Sequence, residues 1–198
     1  MVKTIYLVRH GHHALLGRVL CGRMDGVELD ALGRRQVSLC ARHIIPAPIA
    51  IQSSPQRRAQ QSAAILASHF HLPVEIVSAV DEIDLGDWTG HSFDDLAADP
   101  HWQHWNNARG SSRPPNGESM HELQIRTVRH LEQVRDDPGD GAIVIVSHAE
   151  PIRSALLHYA GFALDDFPSI AVDPASISTL CADRAGVHIT GINQGAFA

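Results

Sequence analysis

Apolar residues in this chain fall into two patterns. Short unbroken runs stand at Thr4-Ile5-Tyr6-Leu7-Val8, at Ile49-Ala50-Ile51 and at Ala142-Ile143-Val144-Ile145-Val146. Such runs, rich in β-branched residues and not alternating, predict strands buried on both faces, as in a parallel sheet. Val74 to Val77 predicts another short strand. Between these runs the apolar residues recur at helical spacing. Asp30 caps a helix predicted to about His43, with Leu32, Val37, Leu39 and Ile44 mostly on one side, closed by Pro46 and Pro48. Ser54-Pro55 predicts the N-cap and first position of a second helix. It runs to about His69, with Ala59, Ser62, Ala63, Leu66 and Phe70 toward the sheet. Ser119 and Glu122 make a capping box for a third, carrying Leu123, Ile125, Val128, Leu131 and Val134 and stopping near Pro138-Gly139. Pro151 opens the last, which ends at Gly161. Two β-like runs, Ser176 to Cys181 and Val187 to Ile192, predict a hairpin at the sheet edge. Strands alternating with helices predict an α/β fold: a three-layer sandwich with a mostly parallel central sheet and helices on both faces. Residues 1–198 read as one domain, with residues from about 91 to 117, helical pieces broken near Pro100 and then a loop, as a lid-like insertion.

The strand ends carry the chemistry. The first run stops at Arg9-His10-Gly11, the 142–146 run at Ser147-His148, and the 49–52 run enters a helix start bearing Arg57 and Arg58. Ligands of open α/β sheets bind beyond the carboxyl ends of the strands. Neighbouring parallel strands would gather two histidines and at least two arginines into a cationic pocket suited to phosphate or another oxyanion. Two arginines at a helix N-terminus oppose the helix dipole and make sense around an anion. Phosphoryl transfer to a histidine needs an unprotonated nitrogen, cations on the phosphoryl oxygens and an acid for the leaving oxygen. His10, His148, Arg9 and Arg58 meet the first two needs. The acidic loop Asp81-Glu82-Ile83-Asp84 supplies candidates for the third, Glu82 ahead of Asp84.

Composition narrows the partners. A net charge of −6 gives no global attraction for nucleic acid or an anionic membrane, so the positive field must be local. Trp102 and Trp105 read as helix packing rather than a platform for bases. The 3 cysteines, Cys21, Cys40 and Cys181, include no CxxC pair and argue against a disulfide framework or zinc site. His10 and His12 can share a face, but no matched ligands accompany them, so no metal and no cofactor is expected; His12 and His13 read as solvent-exposed loop residues. No apolar stretch approaches the ~20 residues of a membrane span, and a cytoplasmic location is expected.

With these blocks in view, the chain resembles the histidine phosphatase superfamily, the phosphoglycerate mutase-like proteins, over essentially its whole length. Arg9-His10-Gly11 resembles the family's signature. Gly22-Arg23 with Leu29-Asp30-Ala31-Leu32-Gly33 resembles its first loop and helix. Ser53-Ser54-Pro55-Gln56-Arg57-Arg58-Ala59 resembles its second block, Glu82-Ile83-Asp84-Leu85-Gly86-Asp87-Trp88 its proton-donor segment, and Val146-Ser147-His148 its second-histidine strand. The resemblance implies a metal-independent phosphomonoesterase for small phosphate esters. His10 would form a phosphohistidine, Arg9, Arg58 and His148 would hold the phosphoryl oxygens, and Glu82 would be proton donor. Gly22, Arg23 and Arg18 are further substrate-binding candidates, and Arg113 a candidate for a second anionic group. The alternatives are a mutase, less favoured because the insertion is short, and a silent phosphate-binding or interaction module. A homodimer through the edge hairpin is an open expectation. Gly17, Ala149 and Thr89 depart from the family's usual residues.

Overall fold

The computed structural model describes residues 2–195. Its strands are β1 (Lys3–Arg9), β2 (Pro48–Ser53), β3 (Val74–Ile76), β4 (Gly141–Ser147), β5 (Ile177–Asp183) and β6 (Gly186–Gln194). Its α-helices are α1 (Ala31–Cys40), α2 (Arg57–Phe70), α3 (Phe93–Leu96), α4 (Pro100–Asn107), α5 (Met120–Asp136) and α6 (Ala149–Ala160). The strands form one six-stranded sheet in the order β3-β2-β4-β1-β5-β6. β1 pairs parallel with β4, and β2 parallel with both β4 and β3. β5 is antiparallel to β1 and hairpins into the edge strand β6. The fold is the predicted mixed α/β sandwich.

Period-two geometry sends alternate side chains of β1 to opposite faces. Ile5 and Leu7 enter a core with Leu123, Leu131 and Leu156 of α5 and α6. Tyr6 and Val8 enter a second core with Val37, Ala59, Ala63 and Leu66 of α1 and α2. The unbroken apolar runs follow from this double burial.

Several local expectations change. The second helix begins at Arg57 with Gln56 as its N-cap; Ser54 Oγ accepts from the Gln56 amide at 3.2 Å, but the N-cap itself has no side-chain hydrogen bond. The last helix begins at Ala149, so Pro151 lies inside its first turn, where a missing N–H costs nothing. Leu39 and Ile125 face outward at 38% and 44% exposure. On α1, Gly33, Gln36, Val37 and Cys40 take the buried face instead. The Asp30 cap, the Ser119–Glu122 capping box, the left-handed Gly161 and the break before Pro100 occur as predicted.

The loop after β1 is pinned by α1 and α2. Asp30 caps Gly33 at 2.8 Å and also meets His12 Nδ1 at 2.6 Å. The Gly11 amide donates to Ser62 Oγ at 3.2 Å. Two glycines permit the approach: a Cβ on Gly11 would lie 2.5 Å from the Gly33 carbonyl oxygen, and one on Gly33 would strike the His12 carbonyl. Overpacking of this kind costs about 1–3 kcal/mol. Gly33→Ala is therefore expected to lower Tm by roughly 3–10 °C in differential scanning calorimetry. An unchanged Tm would show that the loop can move away from α1 freely.

Candidate active site

Parallel register places the two histidines side by side. Arg9 is level with Ser147 across β1 and β4, so His10 and His148 follow at adjacent strand ends. Their rings lie 5.1 Å apart, nearly edge to face. His10 is 3% exposed and His148 fully buried. At the same end of β2, Ser53 is level with Val146, which delivers Ser54 and then α2 with Arg58.

Hydrogen bonds select the tautomers. His10 Nδ1 lies 2.8 Å from the Gly11 carbonyl oxygen, an acceptor only. The proton therefore sits on Nδ1, and Nε2 keeps its lone pair. Burial first, then Arg58 and Arg9, hold the His10 pKa well below the usual imidazole range. Ser54 Oγ donates to Asp81 Oδ1 at 3.0 Å and so accepts from His148 Nε2 at 2.7 Å. Neutral His148 then turns its Nδ1 lone pair toward Glu82 Oε2, 3.8 Å away. Burial, with Arg58 next, also pushes the His148 pKa down.

Two guanidiniums stand beside these rings. Arg58, 2% exposed, is held by Nη2 on the Gly22 carbonyl at 2.6 Å. Arg9 is held by Nη1 on the Val172 carbonyl at 2.6 Å. Among the described residues Arg58 Nε and Nη1 and Arg9 Nε have no hydrogen-bond partner. Donors left unpaired in this way suit an oxyanion. Arg57 is outside the cluster, exposed and paired with Glu28.

Glu82 completes the group. Burial chiefly, and Glu150 after it, push its pKa up to about 7 against the opposing pull of Arg58. Its carbonyl accepts from Arg23 Nε at 2.8 Å and Arg126 Nη2 at 3.0 Å, which fixes the loop. Asp84 bonds the Gly86 amide and stays half-exposed, so it does not compete as the acid.

Arg9, His10, Arg58, Glu82 and Gly22 all line a cavity of about 500 Å³, with His148 packed behind them. Arg18 and Arg23 do not join them. Arg18 is exposed on its loop, and Arg23 turns to Glu118, Asp81 and the Glu82 carbonyl, a bracing position rather than a pocket one. Arg113 pairs with Glu122 at the surface. His12 is half-buried against Asp30, and His13 is only 3% exposed, contrary to the exposed loop expected for both. No three His, Cys, Asp or Glu among the described residues are placed to hold a metal ion together.

The outer wall was not foreseen from the sequence. Arg109 lies between the rings of Trp105 and Phe167, 3.8 and 3.7 Å from their centroids. Arg153 lies over Phe167 at 4.0 Å. Glu150 sits between both arginines at 3.4 and 3.5 Å. Trp102 and Trp105 stack on each other and meet Trp88 edge-on, so they pack as expected while also lining the cavity. The one available signal was the dipeptide Ala149-Glu150, where a carboxylate follows the second histidine.

The fold and pocket define an α/β protein with a histidine- and arginine-lined cavity at the carboxyl ends of its parallel strands. The chain belongs to the histidine phosphatase superfamily (branch 1), whose profile matches residues 5–195. It is similar to phosphoserine phosphatase 1 of Hydrogenobacter thermophilus, 29% identical over 186 residues that cover 91% of this chain and 86% of that one. It is also similar to the glucosyl-3-phosphoglycerate phosphatase of Mycolicibacterium vanbaalenii, 31% identical over 179 residues, 84% of this chain and 78% of the other. Among solved structures, YhfR of Bacillus stearothermophilus superposes with a TM-score of 0.89 at 24% identity, covering 99% and 98% of the two chains. A mycobacterial glucosyl-3-phosphoglycerate phosphatase in complex with VO3 superposes with a TM-score of 0.84 at 25% identity, covering 96% of this chain and 98% of that one.

The Asp81–Ser54–His148 chain is testable by stability alone. Ser54→Ala leaves a buried imidazole N–H unpaired, which costs about 1–3 kcal/mol. Urea denaturation is expected to show that loss, and a variant as stable as wild type would contradict the assigned hydrogen bonds.

Proposed function

We propose that the protein hydrolyses small phosphate monoesters through a phosphohistidine on His10, without a metal ion. The observation that carries the reading is the Nδ1–H of His10 on the Gly11 carbonyl, which leaves a lone pair on Nε2 beside unpaired guanidinium donors. In the first step Nε2 attacks phosphorus, the P–O bond to the leaving alcohol breaks, and Glu82 gives that oxygen its proton. In the second, water attacks the phosphohistidine, Glu82 takes a proton from it, and the P–N bond breaks to release phosphate and restore His10. Arg9 and Arg58 hold the phosphoryl oxygens as charge redistributes, and donors already in place gain most in the transition state. His148 joins them by taking up a proton at Nδ1, which the negative charge of a bound phosphoryl group favours. The relatives named as phosphatases, and the neighbour solved with VO3, support a phosphate-like oxyanion in this pocket.

The cavity of about 500 Å³ leaves room for an organic group beyond the phosphoryl oxygens. Phe93, Trp102, Trp105 and Arg109, all from the 91–117 segment, form its outer side and would cover a bound ester. No helix among the described residues is long and apolar enough to cross a membrane.

Turnover of p-nitrophenyl phosphate is expected to survive chelator and to disappear in His10→Ala. Activity lost to chelator, or retained by the variant, would contradict the reading. Glu82 acts first as an acid, and its pKa is raised to about 7, so the competent protonated form is lost as pH rises through that value. For an alkyl phosphate, kcat/KM is expected to fall above about 7. Glu82→Gln should lower it by about 10²-fold or more, with a smaller loss for the aryl ester, whose leaving group needs less protonation. A flat pH profile to 9 in the wild type would remove Glu82 as the acid.

A further inference from the structure

We propose that His13 is a direct ligand of the phosphoryl group, its imidazole N–H donating to a phosphoryl oxygen beside Arg9 and Arg58. The proposal rests on the phosphatase reading above and adds a residue to that pocket. His13 is 3% exposed, yet it lines the cavity. Its ring centroid is 5.3 Å from that of His10, tilted by 36°, so His10 has a second imidazole neighbour besides His148. His13 Nδ1 is closed off from solvent and has no hydrogen-bond partner among the described residues.

A histidine buried only for packing normally has its nitrogens satisfied, because an unpaired buried polar atom is costly. The adjacent His12 behaves that way, with Nδ1 on Asp30 at 2.6 Å. His13 instead shares its unpaired state with Arg9 Nε and with Arg58 Nε and Nη1, donors gathered around His10. One oxyanion would satisfy the cluster together.

The protonation state fits. Burial, then Arg58 and Arg9, hold the His13 pKa near 4, so the ring is neutral at pH 7. A neutral imidazole adds a donor without a third fixed positive charge against the two guanidiniums. With no protein partner at Nδ1 to set the tautomer, the proton is free to sit on whichever nitrogen meets the oxygen.

The test is calorimetric titration of inorganic phosphate into wild type, His13→Ala and His13→Asn, with p-nitrophenyl phosphate turnover measured on the same samples. Loss of one hydrogen bond to a charged group predicts a phosphate Kd about tenfold or more weaker in His13→Ala. The amide of His13→Asn should restore most of it, a recovery that a purely structural role would not produce. A folded His13→Ala that binds phosphate as tightly as an active wild type overturns the assignment of His13 alone. A wild type that neither binds phosphate nor hydrolyses the ester overturns the phosphatase reading, and the role of His13 with it. Should His13→Ala fail to fold, ¹⁵N NMR of the wild-type imidazoles decides: phosphate must shift the His13 ring nitrogens, and unmoved His13 signals refute the contact.

Discussion

Parallel pairing of β1 with β4 is the constraint on which the site depends. It sets two imidazoles at neighbouring strand ends, in a place already buried because both faces of the sheet are covered. Two guanidiniums are then brought to the same end, one from β1 itself and one from the first turn of α2. Burial and positive charge act in the same direction on His10 and His148, and both stay neutral. For Glu82 the two oppose each other, and burial together with Glu150 outweighs the cations. The same environment thus leaves the nucleophile candidate unprotonated and raises the acid candidate to a pKa of about 7, so that it still carries a proton in part at neutral pH, the division of labour that phosphoryl transfer through histidine needs.

Supporting residues keep that arrangement in register. Asp30 serves both as the cap of α1 and as the partner of His12, so the loop after β1 cannot shift without releasing a helix end. Asp81 accepts from Ser54, from Gln56 and from the Glu82 amide at 2.8–3.0 Å, which ties the His148 tautomer to the start of the Glu82 loop. Arg23 and Arg126 brace the same loop through the Glu82 carbonyl and Glu118. These contacts give the arginine after Gly22 a physical role outside the pocket.

The sheet and the inner site were legible because their signals are local. An unbroken apolar run ending in Arg9-His10 or Ser147-His148 states burial and chemistry in one stretch, and parallel strands bring such ends together. The outer wall was not legible. Nothing at Arg109 or Phe167 announces that a guanidinium will lie against that ring, since the two are far apart in sequence and meet only through tertiary packing. Arg18 and Arg23 misled for the converse reason: a basic residue in a loop near the strand end does not disclose which way it turns. His13 read as exposed because its neighbours are small or polar, whereas its burial comes from the loop folding back over His10. Helix α2 starts beyond Ser54, whose hydroxyl, a good cap by type, is shared among the Gln56 amide, Asp81 and His148.

The central claim is a covalent bond from His10 Nε2 to phosphorus. Rapid acid-free quenching of enzyme mixed with a ³²P-labelled phosphate ester, followed by peptide mapping, tests it most directly. The account predicts an acid-labile, base-stable label on the peptide containing His10, absent from His10→Ala. Turnover without any such label under single-turnover conditions, or a label on another residue, would contradict it.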